Sequence, residues 1–169
     1  MTKIWTEGRV HLAMRKSLRK SGFTLIAGEF PGGSDHELYP LNVTDPVVAR
    51  DRSPDPRRHS AGELIPDIVA LKVRALIIGE AKVHYDEPDR EKLARLVTER
   101  VEHLKQAIEK FAYDRKRAEL LPFETLKLLP TLIFTDQRPA PAPEYGFSHV
   151  VIGQDGAARF LGLIQECLN

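Results

Sequence analysis

The sequence predicts an α/β domain, a central sheet flanked by helices, and three observations carry that prediction. Arg9 to Lys20 places Val10, Ala13, Met14 and Leu18 on one helical face. Two runs rich in Ile, Val and Leu, Ile65 to Leu71 and Ala75 to Val83, flank the short polar link Lys72-Val73-Arg74, a pattern that suits an antiparallel hairpin. A longer helical pattern from about Arg90 to Lys116 carries Leu93, Leu96, Val97, Val101, Leu104, Ile108 and Phe111 at threes and fours.

Taken in order, the first helix stops at Ser21-Gly22 and Phe23 to Ala27 reads as a strand. The segment 32–62, with Gly32-Gly33, Pro40, Pro46, Pro54 and Pro56, is expected to be a long loop, and loops of that length are functional or disordered. After the hairpin, a loop with Pro88 leads into the long helix. Thr131 to Thr135 reads as a strand, Arg138 to Pro143 as an extended connector, Phe147 to Ile152 as a strand and Ala157 to Leu168 as a closing helix.

With 169 residues and 42% hydrophobic content, the chain can bury one sizeable core, so residues 1–169 are expected to form a single domain with a loop insertion at about 32–62. It shows no long apolar span and no charged-then-apolar leader, which leads us to expect a soluble, cytoplasmic protein with no membrane partner. The single Cys167 excludes an intramolecular disulfide and a thiolate zinc cluster. None of the six histidines has the His-x-x-x-His spacing of a helical metal site. Asp35-His36-Glu37, in a Gly-rich loop, reads as solvated.

A net charge of +1 does not announce a polyanion binder, but the basic residues are grouped. Arg9, Arg15, Lys16, Arg19 and Lys20 on the first helix, and Arg115, Lys116 and Arg117 after the long helix, read as solvated faces. Arg57, Arg58 and His59 lie in the Pro-rich segment that feeds into the first hairpin strand, where a loop gripping a phosphate backbone is a fair expectation.

The hairpin carries charges that its apolar context does not explain. Pro66-Asp67 opens one strand and Glu80-Ala81-Lys82 closes the next. Charged groups within buried strands cost roughly several kcal/mol each unless paired, and divalent cations are common partners of clustered carboxylates. Glu80 and Lys82 are two apart and leave the same face of a strand. Folding the chain about Val73 brings Asp67 opposite about position 79, and a slip of one residue changes the face that Asp67 occupies. On one face, Asp67 and Glu80 could hold a Mg²⁺ with the Ala81 carbonyl as a further ligand, while Lys82 orients or helps deprotonate a water, or neutralises charge on an attacked phosphate.

Pro66-Asp67, a gap of twelve residues and then Glu80-x-Lys82 on the following strand resembles the signature of the PD-(D/E)xK nuclease superfamily. The chain has three Pro-Asp dipeptides, but those at Pro54 and Pro88 lack an acid-x-Lys at suitable spacing and lie in loop-like sequence. The element order is similar to that superfamily's αβββαβ core, so the resemblance implies a restriction-endonuclease-like fold with a mixed central sheet flanked by helices. It implies Asp67 and Glu80 as ligands of Mg²⁺ or Mn²⁺, Lys82 as the catalytic lysine, and hydrolysis of duplex or branched DNA, by a homodimer where both strands are cut. Resolvase-like members often carry a first-helix Glu at the position that is His11 here, with Glu7 one turn earlier. Either residue substitutes for it or the role is absent; by itself His11 reads as a partly exposed helix residue. Gln106 resembles a glutamine that RecB-like members place near the site, and reads equally well as a solvated amide. The alternatives are a non-catalytic nucleic-acid-binding or assembly subunit with the same fold, and an unrelated α/β domain with an accidental motif.

Overall fold

The computed structural model describes residues 2–33, 35–44 and 63–168. Arg57, Arg58 and His59 lie outside the described residues, as does most of the expected loop. The first helix, α1, spans Glu7–Lys20, capped by the Thr6 hydroxyl, which accepts from the Arg9 N–H. Strand β1 follows at Thr24–Gly28, and β2 (Val43–Thr44) and β3 (Glu63–Leu64) pair with each other at the two ends of the undescribed segment. Leu41 and Val43 are buried in the core, so the start of the expected loop is anchored rather than free.

The hairpin is β4 (Ile68–Lys72) and β5 (Ala75–Ala81), paired so that Lys72 faces Ala75 and Ile68 faces Gly79. The expected register is therefore off by one residue: the turn is Val73-Arg74, and continuing the ladder sets Asp67 beside Glu80. Val73 takes a left-handed backbone conformation (φ 56°) that β-branched residues rarely adopt. Distant groups hold the turn. Arg74 donates to the carbonyls of Glu119 and Pro122, at 2.6 and 3.1 Å, and its own carbonyl accepts from the Lys127 N–H at 2.8 Å.

The single long helix expected over residues 90–116 is two, α2 (Glu87–Val97) and α3 (Val101–Asp114). At the break the Thr98 hydroxyl donates to the Ala94 carbonyl at 2.7 Å, so a side chain takes up a backbone acceptor that a continuing helix would use. Strand β6 (Lys127–Thr135) begins earlier than expected, and β7 covers Ser148–Ile152. The expected closing helix is instead strand β8 (Ala158–Gly162) followed by a short 3₁₀ turn. Asp155-Gly156 supplies the reversal: the Asp155 carboxylate accepts from the Ala157 N–H, and Gly156 has φ 84°. Gly162 then lets the chain pass the Phe147 carbonyl, which would lie 2.3 Å from any Cβ placed there.

The sheet order is β1-β4-β5-β6-β7-β8. The first three strands and the β7–β8 pair are antiparallel, while β5, β6 and β7 run parallel, so the sheet is mixed and its helices flank it. Both faces are covered. Val10, Met14 and Leu18 of α1 pack with Ala70, Ile77 and Ile133, and Leu93, Leu96, Leu104 and Ile108 of α2 and α3 pack with Leu71, Ile78 and Phe134. Each such aliphatic side chain contributes about 1.5–3 kcal/mol when fully buried, which accounts for the nearly unbroken apolar runs in β4 and β5. Among the described residues, no helix is long and apolar enough to cross a membrane.

Candidate active site

Because β5, β6 and β7 are parallel, Ala81, Thr135 and Ile152 end at the same edge of the sheet. The carboxyl ends of parallel strands are where open α/β sheets commonly place ligand sites. A β-bulge between Leu25 and Ala27 resets the register of β1, so that Gly28 faces Ile68 and the next residue, Glu29, lies opposite Asp67. The Glu29 N–H donates to the Asp67 carbonyl at 3.1 Å. Glu29, Asp67 and Glu80 thus form a row across three adjacent strands, with like charges directly opposite, an arrangement that destabilises a sheet unless compensated. Gly28 is needed for the approach: a Cβ there would lie 2.9–3.1 Å from Leu38, Arg15 and the Asp67 carbonyl, inside ordinary van der Waals contact.

Asp67 is fixed by the Ala81 N–H, which donates to its Oδ2 at 2.9 Å. Ala81 thus orients Asp67 through its N–H, a contact separate from the carbonyl expected as a further ligand. Glu80 is 5% exposed, and burial first, then Asp67, push its pKa up to about 9 against the pull of Lys92. Lys92, from α2, donates to Glu80 Oε1 at 2.6 Å. Burial and Asp67 also raise Glu29. Asp89, in the first turn of α2, is raised to about 6 by burial and then by Asp86, and its Oδ2 is buried with no hydrogen-bond partner among the described residues.

Lys82 joins the same group. Burial alone would lower its pKa, but Asp89, Glu7, Asp86 and Asp67 outweigh that and raise it. Its ammonium lies 3.7 Å from Glu7 at the start of α1. His11 is 1% exposed, so the expectation of a partly exposed residue is corrected: the α1 face that carries it is pressed against the sheet edge and Phe30, whose ring stacks on the imidazole at 5.7 Å. Burial lowers its pKa against the pull of Asp67, which makes it predominantly neutral at pH 7. Its Nε2 lies 3.8 Å from Asp67 Oδ2, beyond hydrogen-bond reach.

The structure therefore brings Asp67, Glu80, Lys82, Glu7 and His11 to one edge. It does not bring Gln106 there, since that side chain is exposed on α3, whose buried side is Leu104, Ile108 and Phe111. Sequence reasoning missed Glu29, Asp89 and Lys92. Asp89 has a signal in the sequence, the third Pro-Asp dipeptide, although it lies in loop-like sequence; Glu29 and Lys92 have none, because the bulge and the α2 packing that aim them are not local features.

Among the described residues, no group of three or more His, Cys, Asp or Glu side chains is arranged to hold a metal ion. Mg²⁺ does not require one: it is usually bound through one or two carboxylates, with waters and substrate phosphates completing its six ligands. Asp67 and Glu80, opposite each other on adjacent strands, supply two carboxyl groups for that smaller demand, and a cation held there would have to displace the proton that burial and Asp67 keep on Glu80. The chain gives no significant match to family models, to curated proteins or to solved structures.

Proposed function

We propose that the protein is a Mg²⁺-dependent nuclease of the PD-(D/E)xK type, with a restriction-endonuclease-like core, that hydrolyses phosphodiester bonds of DNA as an endonuclease. The observation that carries this reading is the pairing of Asp67 with Glu80 across β4 and β5, beside Lys82, at the carboxyl edge of the parallel strands. The order α1, β1, β4, β5, helices, β6 supports it, being the αβββαβ sequence of elements.

Asp67 and Glu80 would hold the cation, which when bound supplies charge neutralisation at the phosphate and acidifies a coordinated water. The Ala81 N–H keeps Asp67 oriented. Lys82, with its pKa raised by four surrounding carboxylates, stays protonated at neutral pH. Its role is thus to place positive charge beside the attacked phosphate rather than to remove a proton. His11, neutral and buried behind Asp67, limits the positions that carboxylate can take.

The test is incubation with supercoiled plasmid, linear duplex, single-stranded DNA and RNA in Mg²⁺, Mn²⁺ or EDTA. Cutting of DNA that EDTA stops, and that Asp67→Ala and Lys82→Ala each reduce by roughly 10²–10³-fold with folding intact, is the expected result. Activity that persists in EDTA or survives either substitution sinks the proposal. One observation favours the second reading, a non-catalytic nucleic-acid-binding subunit: the Lys92 ammonium already donates to Glu80 Oε1 at 2.6 Å, occupying an oxygen that a cation would need. DNA binding without cutting of any substrate, in either metal, would move that reading ahead.

A further inference from the structure

On α1, Arg9, Leu12, Lys16 and Lys20 recur at threes and fours along a stripe that is separate from the Val10, Met14 and Leu18 core face. That stripe forms one wall of a cleft of about 940 Å³, whose other wall is the β7–β8 turn and β8. Lys3 closes the cleft near the turn, where its ammonium sits 3.8 Å from the position of a Cβ on Gly156. Asp155 is the acidic member of the lining, against the four cations Lys3, Arg9, Lys16 and Lys20.

Lys16 and Lys20 have no ion pair or hydrogen bond among the described residues. Elsewhere α1 behaves differently: Arg15 and Arg19, on the same helix, are matched to Asp35 and Glu37. Leu12, 60% exposed, and Phe160 give the cleft an apolar floor. Charge left unmatched in a concave wall raises the local concentration of polyanions.

The position of the cleft indicates its occupant. The β7–β8 turn lies at the carboxyl edge of β5, β6 and β7, where α1 begins with Glu7 beside Lys82. From there the cleft runs back along α1, a rise of about 1.5 Å per residue, so that Lys16 and Lys20 are about 6 Å apart along the axis. We propose that this cleft is a docking track for the phosphodiester backbone of a DNA strand, leading to the edge that carries Asp67, Glu80 and Lys82. The proposal rests on the nuclease reading for its substrate. A concave basic wall that ends at the same sheet edge as the site suits a strand entering it, whereas an anionic bilayer would need a flat or convex face.

The experiment is DNA binding by fluorescence anisotropy with the full chain in EDTA, on a short duplex, from about 50 to 200 mM salt. The triple variant Arg9→Ala, Lys16→Ala, Lys20→Ala is compared with Lys110→Ala, Lys116→Ala, Arg138→Ala, which removes equal charge elsewhere, and a thermal melt verifies folding of both. The cleft variant is expected to lose roughly tenfold or more in affinity and to flatten the log–log salt slope by about 2 to 3, at about 0.9 per phosphate contact, with the control near wild type. Equal affinity and slope in the cleft variant and wild type would overturn the proposal, as would wild-type protein that binds no DNA, or that binds phosphatidylserine vesicles in its place. Binding through the cleft without cutting would leave the track standing and remove the nuclease reading. Cutting with unchanged binding in the cleft variant would do the reverse.

Discussion

Two groups of buried charge lie within one helix turn of each other in this protein, and they are built on opposite principles. Around Arg15, which is 2% exposed, charge is matched: the guanidinium bonds Asp35 and Glu37 and lies 4.2 Å over the Phe30 ring. Burial alone would raise Asp35, but its bonds from Arg15 and the Leu38 N–H outweigh that and lower it. Around Asp67 carboxylates outnumber cations: Lys92 pairs with Glu80 and Lys82 lies beside Glu7, yet burial with neighbouring carboxylates still raises Glu29, Glu80 and Asp89. The first arrangement stabilises the fold by fixing the segment after β1 onto α1. The second costs stability, and sites that do so at a sheet edge are where chemistry is expected.

The largest expected effects separate the two groups. Arg15→Met should cost about 3–5 kcal/mol in urea unfolding, because Asp35 is left buried without its partner. Asp67→Asn should change stability by about 1 kcal/mol or less while lowering DNA cleavage by roughly 10²–10³-fold. If Asp67→Asn cost as much stability as Arg15→Met, the distinction would fail.

The pH dependence of the metal-free protein should show the same contrast with opposite signs. Glu80 has a folded pKa of about 9 against an ordinary 4.5, so the folded state binds the extra proton between those values and stability falls as pH rises through that window. Asp35 has a folded pKa below its ordinary 3.8, so its contribution is present above that value and is lost as pH falls through the folded pKa. In EDTA, Glu80→Gln should stabilise the protein by on the order of 1–3 kcal/mol at pH 8 and flatten the alkaline slope. A destabilising Glu80→Gln would instead identify Glu80–Lys92 as a structural ion pair.

The smallest expected effect is that of His11→Ala. It should lower cleavage by about tenfold, mainly in kcat, and alter the pH profile of activity, as befits a residue that positions Asp67 without touching substrate. A loss confined to thermal stability would make His11 core packing alone.

Much of the fold was legible because it is written in local patterns. The α1 face, the hairpin, the helical stretch and β6 follow from apolar periodicity, and Asp67, Glu80 and Lys82 stand out because charge interrupts that periodicity. What was misread depended on other signals. The closing segment has enough apolar residues for a helix, but Asp155-Gly156 and the Gly162 passage turn it into β8. Of the Asp35-His36-Glu37 stretch, expected to be solvated, His36 and Glu37 are exposed, and Asp35 alone is drawn in, by Arg15 on the preceding helix.

The sequence by itself determined which residue types flank the hairpin and the succession of α1, β1, the hairpin, the helical stretch and β6, since both are fixed by short-range spacing. Only the tertiary structure decided that Asp67 stands beside Glu80 and that Glu29 completes the row. A ladder's register is set by its turn and bulges, and here the Val73-Arg74 turn is held by carbonyls of Glu119 and Pro122, far along the chain. Likewise Lys92 and Asp89 reach the site only because α2 packs over the β5 end, a contact that no local window of sequence contains.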